Sequence, residues 1–190
     1  MDRRSWDKRD IELLKASNPT TWKRFINEHH ALVYSLSSSF TNNEEEKKDL
    51  CMEIFSKFFQ GISGFKQESK LSTYFYRIAY NHLINFSKKA KGNCISITDM
   101  QDDYEDSLAT DDCNPMEEID LERSHALLKT SIDSLPMKYR TAIILFYYED
   151  KDYKQVADIM QMPLGTIKTI LFRAKQMMRT QLQPLLLEAK

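Results

Sequence analysis

Glycine is scarce in this chain, with four in 190 residues. So few freely left-handed positions exclude glycine-rich phosphate loops and, with abundant Leu, Lys, Glu, Met and Phe, point to helix. No stretch keeps the apolar–polar alternation of a half-buried strand. Cysteine is equally sparse. Cys51, Cys94 and Cys113 are odd in number and far apart, which makes neither a metal-ligand pattern nor a disulfide framework and fits a reducing cytoplasm. Long apolar runs are missing too. The longest, Ala142 to Tyr148, is far too short to cross a bilayer, so no membrane insertion is expected. The opening M-D-R-R-S-W-D-K-R-D has no apolar segment behind its charges, as a signal peptide would need. Acidic side chains abound, but nucleophile and metal motifs do not. An enzyme is the weakest class on these grounds, and no cofactor is expected.

A net charge of −1 looks unpromising for a nucleic-acid binder, but its distribution matters more than its sum. Residues 65–91 carry six Lys/Arg against one Asp/Glu, a net of +5. Residues 97–123 carry one Arg against eleven acids, a net of −10, and residues 131–190 return to +3. Two basic pieces able to attract phosphates therefore flank an acidic one that would repel them.

Periodicity predicts helices throughout. The first covers 10–17. The second opens at Thr20 or Thr21 and carries Trp22, Phe25, Ile26, His29, Leu32, Val33, Leu36 and Phe40 on one stripe. His29 and His30 are adjacent and point to different faces, which suits packing and surface roles better than metal binding. A third helix, from about Glu45 to Gln60, has an acidic start that complements the helix dipole. The fourth, about Leu71 to Lys89, places Phe75, Ile78, Ala79, His82, Leu83 and Phe86 toward a core. That leaves Tyr74, Tyr76, Arg77, Tyr80, Asn81 and a Lys88–Lys89–Lys91 cluster for other faces. Aromatic rings interleaved with cations suit single-stranded nucleic acid, where bases stack and charges follow the backbone. A core helix with a snorkelling basic end is the competing reading. Residues 92–115 hold turn formers and acids and read as a flexible linker. Helix resumes from about Met116 to Ser134, with another starting around Pro136.

The last part reads as a helix-turn-helix. Asp152 and Gln155 are spaced as a capping box. Val156, Ala157 and Met160 face inward, and Gln161-Met162-Pro163 breaks the helix. A second helix from about Pro163 to Arg179 has Ile167, Ile170, Leu171 and Ala174 as its apolar stripe. Its first residues, Leu164, Gly165, Thr166, Lys168 and Thr169, stand where a recognition helix meets base edges. The expected fold is all-α: an N-terminal helical domain (1–91), an acidic flexible linker (92–115) and a C-terminal helix-turn-helix domain (116–190).

Three blocks in this order resemble the extracytoplasmic-function (ECF) subfamily of sigma-70-type bacterial RNA polymerase sigma factors: D-L-C-M-E-I-F (49–55), F-K-Q-E-S-K-L-S-T-Y-F-Y-R-I-A-Y-N (65–81) and S-L-P…R…G-T-I-K-T…F-R-A-K (134–175). The resemblance runs from about Asp10 to Leu187. It implies that Asp49, Glu53 and Phe55 contact core RNA polymerase at the β′ clamp, giving the acidic face a docking role. It also implies that Ser72, Tyr74, Tyr76, Arg77, Asn81, Lys88 and Lys89 engage single-stranded −10 promoter DNA, with a flipped base captured near Asn81. Thr166, Lys168, Thr169, Phe172, Arg173 and Lys175 then read the −35 duplex, and Arg140, Lys154 and Lys175 hold phosphates. The linker threads toward the polymerase active-site and RNA-exit path, and an anti-sigma factor is an implied partner beside the polymerase β subunits and promoter DNA. This sequence departs from the family pattern at Met52, where glutamine is usual, at Tyr74, where tryptophan is common, and at Ile170, where a basic residue is common. The rival reading is a free-standing helix-turn-helix regulator, which leaves the aromatic-basic block at 71–91 unexplained.

Overall fold

The computed structural model describes residues 6–90 and 121–187, and every regular element among them is helical. The linker expected at 92–115, Lys91 and the first residues of the helix expected from Met116 lie outside the described residues.

Helix α1 (Lys8–Lys15) is capped by Asp7, whose carboxylate accepts from the Asp10 amide at 2.8 Å. Helix α2 (Pro19–Ser37) starts earlier than the threonines suggested. Asn18 is its cap, accepting from the Thr21 amide at 3.0 Å, with Pro19 in the first turn. The reason is chemical: an asparagine oxygen is the stronger cap, and proline at the first helical position loses no hydrogen bond. Helix α3 (Glu44–Gly61) is capped by Asn43 and opens with three glutamates, which the positive end of the helix dipole favours. A single 3-10 turn (Ile62–Gly64) leads toward α4 (Leu71–Ala90).

These helices close around aromatic rings. Phe25 is fully buried, stacks on Phe58 with centroids 4.6 Å apart, and meets Trp6, Trp22, His29, Phe55 and Phe75. Burial of each such ring contributes about 1.5–3 kcal/mol, with more from edge-to-face geometry. His29 takes part in this core, as its packing role required, while His30 is exposed and stacks on Tyr34. The expected stripe of α2 holds for Trp22, Phe25, His29, Leu32, Val33 and Leu36, whereas Ile26 is exposed and Phe40 lies past the end of the helix, half-buried.

The C-terminal half begins with α5 (Leu121–Ser134) and α6 (Met137–Ile143). Helix α6 runs on as a π turn (Ile144–Tyr148), a widening that the periodicity does not reveal. Helix α7 (Tyr153–Met160) has the anticipated capping box: Asp152 accepts from the Gln155 amide at 2.8 Å, and Gln155 accepts from the Asp152 amide at 3.1 Å. Gln161 ends it in the left-handed region at φ 56°. Helix α8 (Leu164–Leu187) runs about two turns past the expected stop, because nothing after Arg179 breaks it until Pro184, which the helix absorbs. Val156, Ile159 and Met160 of α7 bury with Ile167, Ile170, Leu171 and Ala174 of α8.

Helix α4 packs against α2 and α3 and also against α7, so the two halves meet along it. Among the described residues no helix is long and apolar enough to cross a membrane.

Two outcomes follow. Asp152→Ala removes the α7 cap and should cost about 1 kcal/mol, read as a lowered thermal midpoint with unchanged helicity at low temperature. His82 Nε2 lies 2.7 Å from Glu53 Oε2 across α3 and α4, close but without hydrogen-bond alignment. Burial pulls the His82 imidazole below its usual range, and the Glu53 carboxylate offsets this only in part. The unfolded chain therefore binds its proton more readily, and stability falls as pH drops through the ordinary histidine range near 6.5. His82→Gln should flatten that part of the stability–pH curve in urea titrations.

Candidate nucleic-acid interface

The acidic helix α3 divides cleanly. Leu50, Cys51, Ile54 and Phe58 line its inner face, while Asp49, Met52 and Glu53 point outward. Met52 is 69% exposed, and Phe59 adds a half-exposed ring two turns on. Phe55 departs from expectation. It is buried and stacks on Phe75 at 5.2 Å, so it supports the core rather than the outer face. Its spacing of four residues from Cys51 and three from Phe58 carries it inward.

On α4 the predicted residues separate into two sets. Arg77 and Lys89 are exposed, and Asn81 and Lys88 are half-buried. Positions 77, 81, 85 and 88 follow one another at helical spacing, giving an outward strip of guanidinium, two amides and an ammonium. Tyr74 is half-buried. Its ring lies against Phe65 at 4.8 Å, its hydroxyl donates to the Gly61 carbonyl at 3.1 Å, and the Arg77 guanidinium stands 5.8 Å from the ring centre. Tyr76 belongs to the other set. It is fully buried and faces the C-terminal half, so its hydroxyl is not on the outward strip. Tyr80, one turn further, is also buried, and desolvation pushes its phenol up to about 12. The sequence had left both rings for faces other than the core stripe.

Helix α8 presents its N-terminal part to solvent. Leu164, Gly165, Lys168 and Thr169 are exposed, and nothing lies within 4 Å of a Cβ built at Gly165. Thr166, Phe172 and Arg173 are half-buried and Lys175 is exposed. Thr169 Oγ1 donates back to the Gly165 carbonyl at 3.1 Å. Ile170 is buried in the helix-turn-helix core. Lys154 stands exposed at the start of α7. Arg140, expected as a phosphate ligand, lies at the surface in an ion pair. Its guanidinium is paired with Asp133 on α5, so that charge already has a carboxylate.

Between the halves lies a polar seam whose C-terminal members sequence reasoning did not single out. The Tyr76 hydroxyl donates to Glu149 Oε2 at 2.8 Å and sits 2.7 Å from His29 Nδ1. With its one proton given to Glu149, the hydroxyl accepts from His29, which fixes the Nδ1–H tautomer. Lys151 Nζ donates to Ser72 Oγ at 3.0 Å and stands 5.3 Å from the Tyr76 ring centre. Glu149 and Lys151 are over seventy residues from Tyr76 and Ser72 in sequence, and no local pattern pairs them.

Comparisons with known proteins agree with this architecture. Residues 25–92 match the family model for Sigma-70 region 2, and residues 125–178 match that for Sigma-70, region 4. The chain is 26% identical over 187 residues to the RNA polymerase sigma-H factor of Pseudomonas aeruginosa, covering 96% of this chain and 97% of that protein. It is 27% identical over 183 residues to the ECF RNA polymerase sigma factor SigW of Bacillus subtilis, covering 94% and 97%. In fold it resembles CnrH, solved in complex with the cytosolic domain of CnrY (TM-score 0.63, 13% identity, 94% of this chain and 97% of that one). It also resembles the sigma factor RpoE of Bartonella quintana, solved with the anti-sigma factor NepR (TM-score 0.58, 21% identity, 85% and 98%). With both family regions present in order, flanking the acidic stretch, the chain belongs to the ECF group of the sigma-70 family of RNA polymerase sigma factors.

Proposed function

We propose that this chain is an alternative sigma factor that binds core RNA polymerase and directs it to a set of promoters. The observation that carries the reading is the pair of unlike nucleic-acid surfaces on one chain. The strip of Arg77, Asn81, Lys88 and Lys89 offers amides and cations of the kind that hold extruded bases and their backbone. The exposed start of α8, with Thr166, Lys168 and Thr169, has the form of a helix that reads paired DNA in the major groove. Phe172, Arg173 and Lys175 continue that surface, with Lys154 beside it as a phosphate contact. Each surface alone would bind weakly, and linking them raises the effective concentration of the second once the first is bound.

The outer face of α3, with Asp49, Met52 and Glu53, docks on the β′ clamp of the polymerase. Its carboxylates steer a basic partner and its exposed methionine supplies adaptable apolar contact. The residues from 1 to 91 serve polymerase binding and −10 opening, those from 116 to 190 serve −35 recognition, and the acidic stretch between them tethers the two. The chemistry of RNA synthesis belongs to the polymerase, and the protein works in the cytoplasm. One structural relative was solved with the anti-sigma factor NepR, which supports an anti-sigma factor as a regulator of this chain too.

Asn81→Ala should leave core binding intact and lower open-complex formation on linear promoter DNA about tenfold, the scale of losing one held base. Permanganate footprinting reads this, and undiminished opening would remove Asn81 from base capture. The double change Lys168→Ala with Thr169→Ala should reduce discrimination between cognate and altered −35 sequences by roughly tenfold. An equal loss on all −35 sequences would assign these residues to phosphate contact instead. Co-purification with core polymerase, followed by transcription from a genomic fragment pool, tests the function as a whole. Specific duplex binding by a protein that ignores core polymerase would favour the free-standing regulator.

A further inference from the structure

Building on the sigma-factor reading above, on which this inference rests for the DNA involved, we propose that the start of α8 reads thymine by its methyl group. Leu164 and the Thr169 methyl meet C5-methyl groups in the major groove, and Gly165 lets the helix come close enough for them to do so.

Thr169 is exposed, and its hydroxyl proton is already given to the Gly165 carbonyl at 3.1 Å. A hydroxyl carries one proton. In this rotamer Thr169 therefore has none to donate to the acceptors that guanine, adenine and thymine display in the major groove. Threonine has one other group on its Cβ. With the oxygen bonded back to the preceding turn, the methyl is what the side chain has left to offer an approaching surface. Of the four bases only thymine presents a methyl in that groove, so an apolar contact there separates it from the other three.

Leu164 supplies a second apolar group. It is the first residue of α8 and 38% exposed, while the buried stripe of that helix begins at Ile167. A single exposed leucine is ordinary; its placement is what matters. At 3.6 residues per turn Leu164, Lys168, Gly165 and Thr169 fall at about 0°, 40°, 100° and 140° around the helix. All four are exposed, so they form one outward arc with an apolar group at each edge. Five residues of rise, about 7.5 Å, let the two edges meet different base pairs. Lys168 shares the arc on a flexible stem that can fold aside.

Gly165 points to a surface outside the chain. Nothing in the fold calls for a glycine at this position: a Cβ there would have open space to 4 Å, and the backbone is not left-handed. Glycine within a helix lowers stability relative to alanine. What it provides is a bare stretch of backbone between Leu164 and Thr169. A groove floor can then come down to the level at which a short methyl reaches a base edge.

The test removes the methyl from either side of the contact. Duplexes are selected from a random pool by the full chain with core RNA polymerase and, in parallel, by the full chain alone. Each thymine of the enriched −35 element is then replaced in turn by deoxyuridine, which lacks only the C5 methyl. At two positions binding should fall about fourfold, the scale of returning one methyl group to water. Thr169→Ser keeps a hydroxyl for the Gly165 carbonyl but has no methyl. It should bind the thymine duplex about fourfold more weakly and lose the deoxyuridine penalty at one of the two positions. Thr169→Val keeps the methyl and should retain both penalties. Leu164→Ala should lose the other penalty. Gly165→Ala should weaken duplex binding about tenfold, since it holds off both contacts together, while its thermal midpoint stays or rises; a merely structural glycine would not give that split. All four variants alter exposed positions, and thermal melts verify that each is folded. Deoxyuridine tolerated at every position would overturn the methyl contact. So would a valine variant that loses the penalties while the serine variant keeps them, which assigns the readout to the hydroxyl. A chain that does not join core polymerase but enriches duplexes alone ends the sigma-factor reading, and the deoxyuridine series on those duplexes still decides the methyl contact. A chain that enriches no duplex in either setting overturns both.

Discussion

Phe25 sits at the point where three helices and the N-terminal segment converge, and the orientation of the whole N-terminal half depends on keeping that ring dry. Its neighbours come from before α1, from α2, from α3 and from α4. Once Phe55 and Phe58 turn inward to meet it, α3 can only present Asp49, Met52 and Glu53 outward. Once Phe75 does the same, α4 must set Arg77 and Asn81 roughly opposite. The acidic outer face of α3 and the amide-and-cation strip of α4 are therefore not independent inventions of the surface. Both are the complement of one aromatic cluster, so the spacing of rings in the core sets the spacing of charges outside.

The helix-turn-helix uses the same logic with smaller side chains. Ile167, Ile170, Leu171 and Ala174 close against Val156, Ile159 and Met160, and the residues between them on α8 are left for solvent. The turn is made without glycine, Gln161 itself adopting the left-handed conformation at the end of α7. A non-glycine residue held there bears some strain. The capping box at one end of α7 and the α8 core at the other hold that geometry in place.

How much of this was legible in the chain divides by range. Helix existence, the α7 cap, the α8 stripe and the inward rings of α2 and α4 all follow from spacings of three and four residues, which sequence displays directly. The cap of α2 was one decision away, since Asn18-Pro19 reads equally as an ending or a beginning. Phe55 was carried to the outside by its place in a motif, although its spacing from Cys51 and Phe58 already placed it within. Tyr76 and Tyr80 were unreadable for a deeper reason. Their surroundings come from Glu149, Lys151 and α7, over seventy residues away, and a ring facing another module looks in sequence like a ring facing water.

The π turn at Ile144–Tyr148 gives the chain one residue more than a regular helix would use there. Such a turn amounts to an insertion stored inside a helix. Because the extra residue is absorbed within the turn, deleting one would let regular α geometry take its place with Glu149 kept near Tyr76. In an ordinary α-helix the same loss would turn everything beyond it by about 100°, so length in this segment is under looser constraint than along the helices around it.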